Sequence, residues 1–263
     1  MDLSLKNKTA FISGSSQGIG YAIAESLAKE GANIVINGRD EAKVKIAVEK
    51  IIQNYPEVKI QSIIADFASE NNLDKAFESI GEVDILINNV GVFEQREFQD
   101  TTEQDWIANF NLNVMTGVKL SQYFLTKMLE KKWGRIIFVG SEFALNVSSS
   151  SIQYGVTKSA VSALSNGLSK LTKGTEVTVN TILAGATYSD GVSNTMKYLA
   201  ELNNITEEKM KNNFMNQVNP NSLLERFIEP EEIANIITFL SSPLSVAING
   251  TSLRADAGNL SVV

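Results

Sequence analysis

The sequence contains no cysteine and no histidine. Without thiols, neither a disulfide framework nor a thiolate metal site can form, and a cytoplasmic location is the expectation. Without imidazole, acid–base chemistry near neutral pH falls to Asp, Glu, Lys or Tyr with a perturbed pKa. No apolar run approaches the length needed to span a bilayer, and the opening MDLSLKNKTAFISG lacks the apolar stretch of a signal peptide, so no membrane partner is expected. Positive charge is also short. Against 30 acidic side chains stand 23 basic ones, a net charge of −7 that disfavours binding along nucleic-acid phosphates. Repeats, low-complexity tracts and linkers are missing as well, and no metal site is expected.

What is present is a 263-residue chain, 43% hydrophobic, long enough to bury one sizeable core. Apolar runs rich in branched residues (TAFISG, ANIVING, VKIQSIIAD, VDILINN) alternate with helical patterns (IAESLAKEG, EAKVKIAVEKII, NLDKAFESI). GRIIFVGS (Gly134 to Ser141), EVTVNTIL (Glu176 to Leu183) and TSLRADAG (Thr251 to Gly258) continue the strand series. Runs apolar on successive residues fit parallel strands covered on both faces, so the expectation is an α/β, doubly wound, seven-stranded parallel sheet in a single domain over 1–263. Long helical patterns over 102–132 and 151–173 carry apolar or small residues on more than one face, which predicts a homo-oligomer, tetramer or dimer. Residues 186–225, rich in Asn and Met, read as a mobile helical excursion over a ligand site. Met196, Tyr198, Leu199, Phe214 and Met215 there suggest a partly apolar pocket, although helical packing would use the same residues.

SGSSQGIG (Ser13 to Gly20) follows the first strand and opens the first helix. Gly14, Gly18 and Gly20, with Ser16, Gln17 and Ile19 between them, let the backbone turn sharply and approach a pyrophosphate at the helix N-terminus. Three residues separate the first two glycines, which is not the usual dinucleotide spacing. The second strand ends VINGRD, where an acidic residue would hold the ribose hydroxyls of NAD. Here Gly38 leaves room and Arg39 offers a guanidinium, so the expected cofactor is NADP rather than NAD. The alternative is a solvated arginine with Asp40 capping the next helix.

YGVTK (Tyr154 to Lys158) places a phenol four residues before an ammonium, a spacing that brings both together on a helix. YPEVK (Tyr55 to Lys59) and YFLTK (Tyr123 to Lys127) share it. In this setting the chain resembles the short-chain dehydrogenase/reductase family over essentially its whole length, in the branch similar to 3-oxoacyl-carrier-protein reductases, with a Rossmann fold. SGSSQGIG is similar to the family's TGxxxGIG, NNVG (Asn88 to Gly91) to its NNAG, and ADAG to its DGG. The family's Asn, Ser, Tyr and Lys fall at Asn113, Ser141, Tyr154 and Lys158, with Ser141 thirteen residues before Tyr154. The rivals fail: Phe110 and Ala42 stand thirteen before Tyr123 and Tyr55. Tyr123 also lies about 15 Å along the same helix from Asn113, and Pro56 breaks the helix after Tyr55.

The resemblance implies that Tyr154 donates the proton in ketone reduction, that Lys158 lowers its pKa from about 10 and binds the nicotinamide ribose, and that Ser141 hydrogen-bonds the carbonyl oxygen. Asn113 would hold a water linking Lys158 to solvent. Cofactor contacts are further implied for Asp66 and Phe67 after the third strand, for Asn89 and Gly91, and for Thr187. Singly, Ser141 reads equally as a turn residue, Asn113 as a buried polar group and Tyr154 as an interface aromatic. Two departures stand out. LAGAT, with Ala184 and Ala186, replaces the family's Pro-Gly and should loosen a hinge, and Ala257 replaces a glycine. The expected activity is NADP(H)-dependent interconversion of a ketone and a secondary alcohol, on a small molecule or an acyl thioester whose acidic carrier Lys131, Lys132, Lys170 and Lys173 could meet. The alternative is a non-catalytic NADP(H)-binding sensor.

Overall fold

A computed structural model of the protein describes residues 1–67 and 73–261. Its strands are β1 (Thr9–Ile12), β2 (Asn33–Gly38), β3 (Ile60–Ile64), β4 (Ile85–Asn88), β5 (Trp133–Ser141), β6 (Glu176–Ala184) and β7 (Ser252–Ala255). Among the described residues they form one sheet in the order β3-β2-β1-β4-β5-β6-β7, every pairing parallel. The chain therefore winds outward in both directions from the β1/β4 boundary, the Rossmann arrangement. At that boundary successive crossovers leave toward opposite sides, so a crevice opens at the carboxyl ends of the strands.

The strands are apolar on successive residues because each face meets a helical layer. In β5, Ile137 and Val139 join the core formed with α1 (Gly18–Lys29) and α9 (Pro230–Ser241), through Leu27, Ile233 and Ile237. Ile136 and Phe138 point the other way, onto Leu120, Phe124 and Met128 of α5 (Thr116–Lys131). Helices α2 (Glu41–Asn54) and α3 (Leu73–Ile80) complete the first half, and α6 (Ile152–Ser169) lies between β5 and β6. The helix expected over NLDKAFESI is α3, and Asn72, at the start of that stretch, lies outside the described residues, as do positions 262–263 of the expected domain.

Three elements differ from the sequence reading. The pattern over 102–132 is not one helix: α4 (Glu103–Phe110), started by a Thr102–Asp105 capping box, passes through a π-helical turn, Asn111–Met115, before α5 begins. Such turns insert one residue into the helical register and often mark functional sites. Helix α9 went unread, although Pro230 in its first turn and the Glu229–Glu232 capping box are ordinary start signals. In the 186–225 region, α7 (Asp190–Leu202) and α8 (Glu207–Val218) pack on each other. Met196 and Met215 are buried with Phe227, and Phe214 stacks on Phe227 at 5.3 Å. These side chains build the excursion's own small core rather than a pocket wall, while Tyr198 faces solvent. The rival tyrosines are accounted for locally. Tyr123 stacks on Phe77 at 4.9 Å beneath the Lys127 ammonium, and Tyr55 ends α2.

The LAGAT segment is held on both sides, with Gly185 N–H donating to Ala255 and Ile228 N–H to Ala186. No described helix is long and apolar enough to cross a membrane. Beyond β7, Ala257 adopts φ +52°, so the turn keeps the left-handed backbone that glycine would take without strain. For an L-residue that conformation costs about 1–2 kcal/mol, partly offset by the lower unfolded-state entropy of alanine. Ala257→Gly is therefore expected to raise stability by about 0.5–1 kcal/mol, seen as a higher urea midpoint with an unchanged slope; a lower midpoint would show the turn to be unstrained.

Candidate active site

The glycine loop is fitted to the crevice by glycine's lack of a side chain. Gly14 and Gly18 have φ +64° and +61°. A Cβ on Gly20 would stand 2.3 Å from the Gly14 carbonyl oxygen, so α1 can begin against the loop only with glycine there. The loop's polar groups are tied by asparagines. Asn37 Oδ1, at the end of β2, accepts from Gly14 N–H at 2.9 Å, and its Nδ2 donates to Ile63 and Ala65 carbonyls. Asn89 Nδ2 donates to the Ser13 and Gly14 carbonyls at 3.1 and 2.9 Å. Ser13 Oγ accepts from Asn89 N–H at 3.0 Å. At the start of α1, Gly18 N–H donates to the Asp190 carboxylate at 2.6 Å, so a carboxylate from α7 sits where a helix N-terminus favours an anion.

Gly38 is buried beside Ser16, and Arg39 beyond it is exposed. Asp40 caps α2 by accepting from Lys43 N–H at 3.1 Å. Sequence reasoning missed Lys43 itself: its Nζ reaches Gln17 Oε1 at 3.1 Å, bringing a second cation to the loop. Ile19 packs against the main core. Asp66 is exposed after β3, but the Phe67 ring is buried between Phe11 and Phe77, so it presents only its main chain to a ligand. Thr187 is buried, its Oγ1 donating to the Gly185 carbonyl at 2.9 Å.

The four family positions come together at the carboxyl ends of β4 and β5. Ser141 closes β5 and accepts from Phe143 N–H at 3.2 Å, and Tyr154 stands in the first turn of α6, where the Ser141 hydroxyl favours its ionised form. One turn on, Lys158 is buried, donates to the Val139 carbonyl at 2.8 Å, and holds its Nζ 5.5 Å from the centre of the Tyr154 ring. A Cβ on Gly91 would come within 3.3 Å of both this Nζ and Asn113 Oδ1. Asn113, in the π-helical turn, accepts from Val92 N–H at 2.8 Å and donates from Nδ2 to the Val92 carbonyl at 3.1 Å. Its amide thus fixes the peptide groups just after NNVG. Phe93 and Phe143 stand edge-on to the Tyr154 ring at 5.0 and 6.1 Å.

Burial dominates the electrostatics of both Tyr154 and Lys158. Burial pushes the Tyr154 phenol up to about 12, opposed by the neighbouring Ser141 hydroxyl and reinforced by the Glu142 charge. Burial also pulls the Lys158 ammonium down to about 8. The Lys158 ammonium is turned to the Val139 carbonyl. Glu142, next to Ser141, is the other residue that sequence reading passed over: a carboxylate only 3% exposed, adjoining the site. Its one sequence signal was a charge in an otherwise apolar strand end.

Residues 8–199 match the family described as short chain dehydrogenase. The chain is 43% identical over 258 residues to the Uncharacterized oxidoreductase YvaG of Bacillus subtilis (strain 168), covering 98% of each. It is 29% identical over 262 residues to the 3-oxoacyl-(acyl-carrier-protein) reductase FabG of Aquifex aeolicus (strain VF5), covering 98% of this chain and 99% of that one. Among solved structures, L-sorbose reductase from Gluconobacter frateurii, complexed with NADPH and L-sorbose, aligns with a TM-score of 0.94 at 29% identity, covering all of both chains. Fold, loop and match agree over nearly the full length, and the chain belongs to the short-chain dehydrogenase/reductase family of oxidoreductases.

Proposed function

We propose that the protein interconverts a small-molecule ketone and its secondary alcohol with NADP(H), using Tyr154 as acid and base. The observation that carries this reading is the meeting of Ser141 at the end of β5 with Tyr154 and the buried Lys158 on the first turns of α6, with the glycine loop across the crevice. The cofactor, when bound, supplies or takes the hydride. Tyr154 gives its proton to the developing alkoxide, and Ser141 donates to the same oxygen as charge builds. Lys158, charged below about pH 8, holds the nicotinamide ribose and favours phenolate once its ammonium leaves Val139. Ser13, Asn88, Asn113, Thr116 and Lys158 line a small cavity, and the buried Asn88 Oδ1 has no hydrogen-bond partner. A water there would be held by polar groups and would connect Lys158 to solvent.

The residues fit a phosphorylated dinucleotide. The Gly18 amide already receives a carboxylate, so the loop accepts an anion there. Arg39 and Lys43 flank the side-chain-free Gly38, giving two cations for a ribose phosphate where the loop itself carries none. The NADPH complex of L-sorbose reductase supports the same cofactor. The α7–α8 excursion serves as the mobile cover of the substrate side, and Phe93 and Phe143 wall the approach to Tyr154. Exposed Val156 on α6 and Ile107 on α4 give a second copy of the chain a surface to bury, and the oligomer works in the cytoplasm.

Two experiments test this. Tyr154→Phe should lower NADPH oxidation with an accepted ketone by about 100-fold or more while NADPH fluorescence titration shows binding retained; unchanged turnover would reject Tyr154 as the proton donor. Arg39→Ala and Lys43→Ala should each raise the KM for NADPH about tenfold and leave that for NADH unchanged. Equal effects on both cofactors would remove the phosphate-binding role.

A further inference from the structure

Glu142 has two partners that come from far along the chain. Asn219 Nδ2, at the end of α8, donates to Glu142 Oε1 at 2.7 Å, and Asn259 Nδ2, in the turn after β7, donates to Oε2 at 2.8 Å. Asn219 is itself only 4% exposed. The end of the excursion is joined again to that turn by Leu223 N–H, which donates to the Ala257 carbonyl at 2.8 Å. Three segments thus meet on one buried carboxylate, on the residue following Ser141. The charged and titratable groups facing Glu142 are Asp256 and Arg254, paired with each other at 2.9 Å, and Tyr154 on α6. Lys158, also on α6, is directed away to Val139.

A buried carboxylate is costly unless its lone pairs are used, and this one has no counter-cation in direct contact among the described residues. Two neutral amides satisfy it without cancelling its charge. We propose that Glu142 is a positioning residue: its carboxylate fastens the end of the excursion and the carboxyl-terminal turn to the segment carrying Ser141, and places a negative charge beside the tyrosine that moves the proton. The inference rests on the reading of Tyr154 as that acid and base. Closure of the excursion and alignment of the Ser141–Tyr154 pair are then one event, because the same side chain anchors both. The charge disfavours phenolate, so it keeps Tyr154 in the protonated form that reduction requires and opposes the form that oxidation requires. Burial holds the Glu142 carboxyl above the ordinary carboxylate range, and its two amide bonds act in the opposite direction.

Substitutions separate the tie from the charge. Glu142→Gln keeps shape and can keep both hydrogen bonds, because an asparagine amide can rotate to present its oxygen, and Asn259 Oδ1 is buried without a partner. Only the charge is lost. The pH limb of kcat for alcohol oxidation should then move down by about half a unit or more, since removing a negative charge eases phenolate formation. Glu142→Asp, which restores the charge, should return the limb to the wild-type position. Asn219→Ala keeps the charge and removes one tie. It should raise the KM for the carbonyl substrate about tenfold, speed proteolytic cleavage within 186–225 in the cofactor-free protein, and leave the limb unmoved. A Glu142→Gln limb that coincides with wild type, or an Asn219→Ala protein with unaltered KM and proteolysis, overturns the proposal. Tyr154→Phe, assayed alongside, tells the two levels apart. If it still turns over, the reading of Tyr154 has failed; if it is inactive while the Glu142→Gln limb is unmoved, the inference alone has failed.

Discussion

In a parallel sheet all strands stop at the same edge, and the peptide groups just beyond that edge have no neighbouring strand to bond. The crevice of this protein depends on how those groups are satisfied. Asparagine side chains do it. Asn37 ties the end of β2 to the glycine loop and to the chain leaving β3, Asn89 ties the loop to β4, and Asn113 reaches from the π-helical turn to clasp both peptide groups of Val92. Each amide offers donors and an acceptor on one planar group, so one side chain can hold two segments at once. The same device recurs at Glu142, where two asparagines join the excursion and the carboxyl-terminal turn to the end of β5.

These ties set the chemistry. The loop held by Asn37 and Asn89 leaves the Gly18 amide free to meet an anion, and Asp190 already shows that a negative group is accepted there. The Val92 clasp fixes the floor under Lys158. Burial then acts on fixed groups, raising the Tyr154 phenol and lowering the Lys158 ammonium, which the Val139 carbonyl holds.

The sheet was legible in the sequence because strands buried on both faces leave an unbroken apolar run, and β5, with Ile136 and Ile137 facing opposite layers, is such a run. The Tyr154–Lys158 pair was separable from two pairs of the same spacing through Ser141 thirteen residues upstream and the family resemblance. The π-helical turn was not legible: a single inserted residue leaves the apolar pattern of α4 and α5 nearly intact, and only the clasp of Asn113 on Val92 reveals why it is there. Met196 and Met215 could be read either way for a related reason, since a two-helix excursion needs a core of the same composition as a pocket. Glu142, Asp190 and Lys43 take their meaning from partners far along the chain, namely Asn219 and Asn259, Gly18, and Gln17. No local pattern announces such contacts. The direction in which Lys158 points was equally hidden, because spacing fixes where a side chain starts and not which acceptor it chooses.

That asparagine amides hold the crevice ready before any ligand arrives is a statement about particular backbone hydrogens. The N–H groups of Gly14 and Val92 lie outside every helix and strand, and each donates to an asparagine oxygen, at 2.9 and 2.8 Å. Amide hydrogen exchange on the cofactor-free protein measures them directly. Both should exchange far more slowly than unstructured peptides, in the range of the adjoining strand ends, and should lose that protection in Asn37→Ala and Asn113→Ala respectively. Exchange of Gly14 and Val92 at the unprotected rate in the wild-type protein would contradict the account.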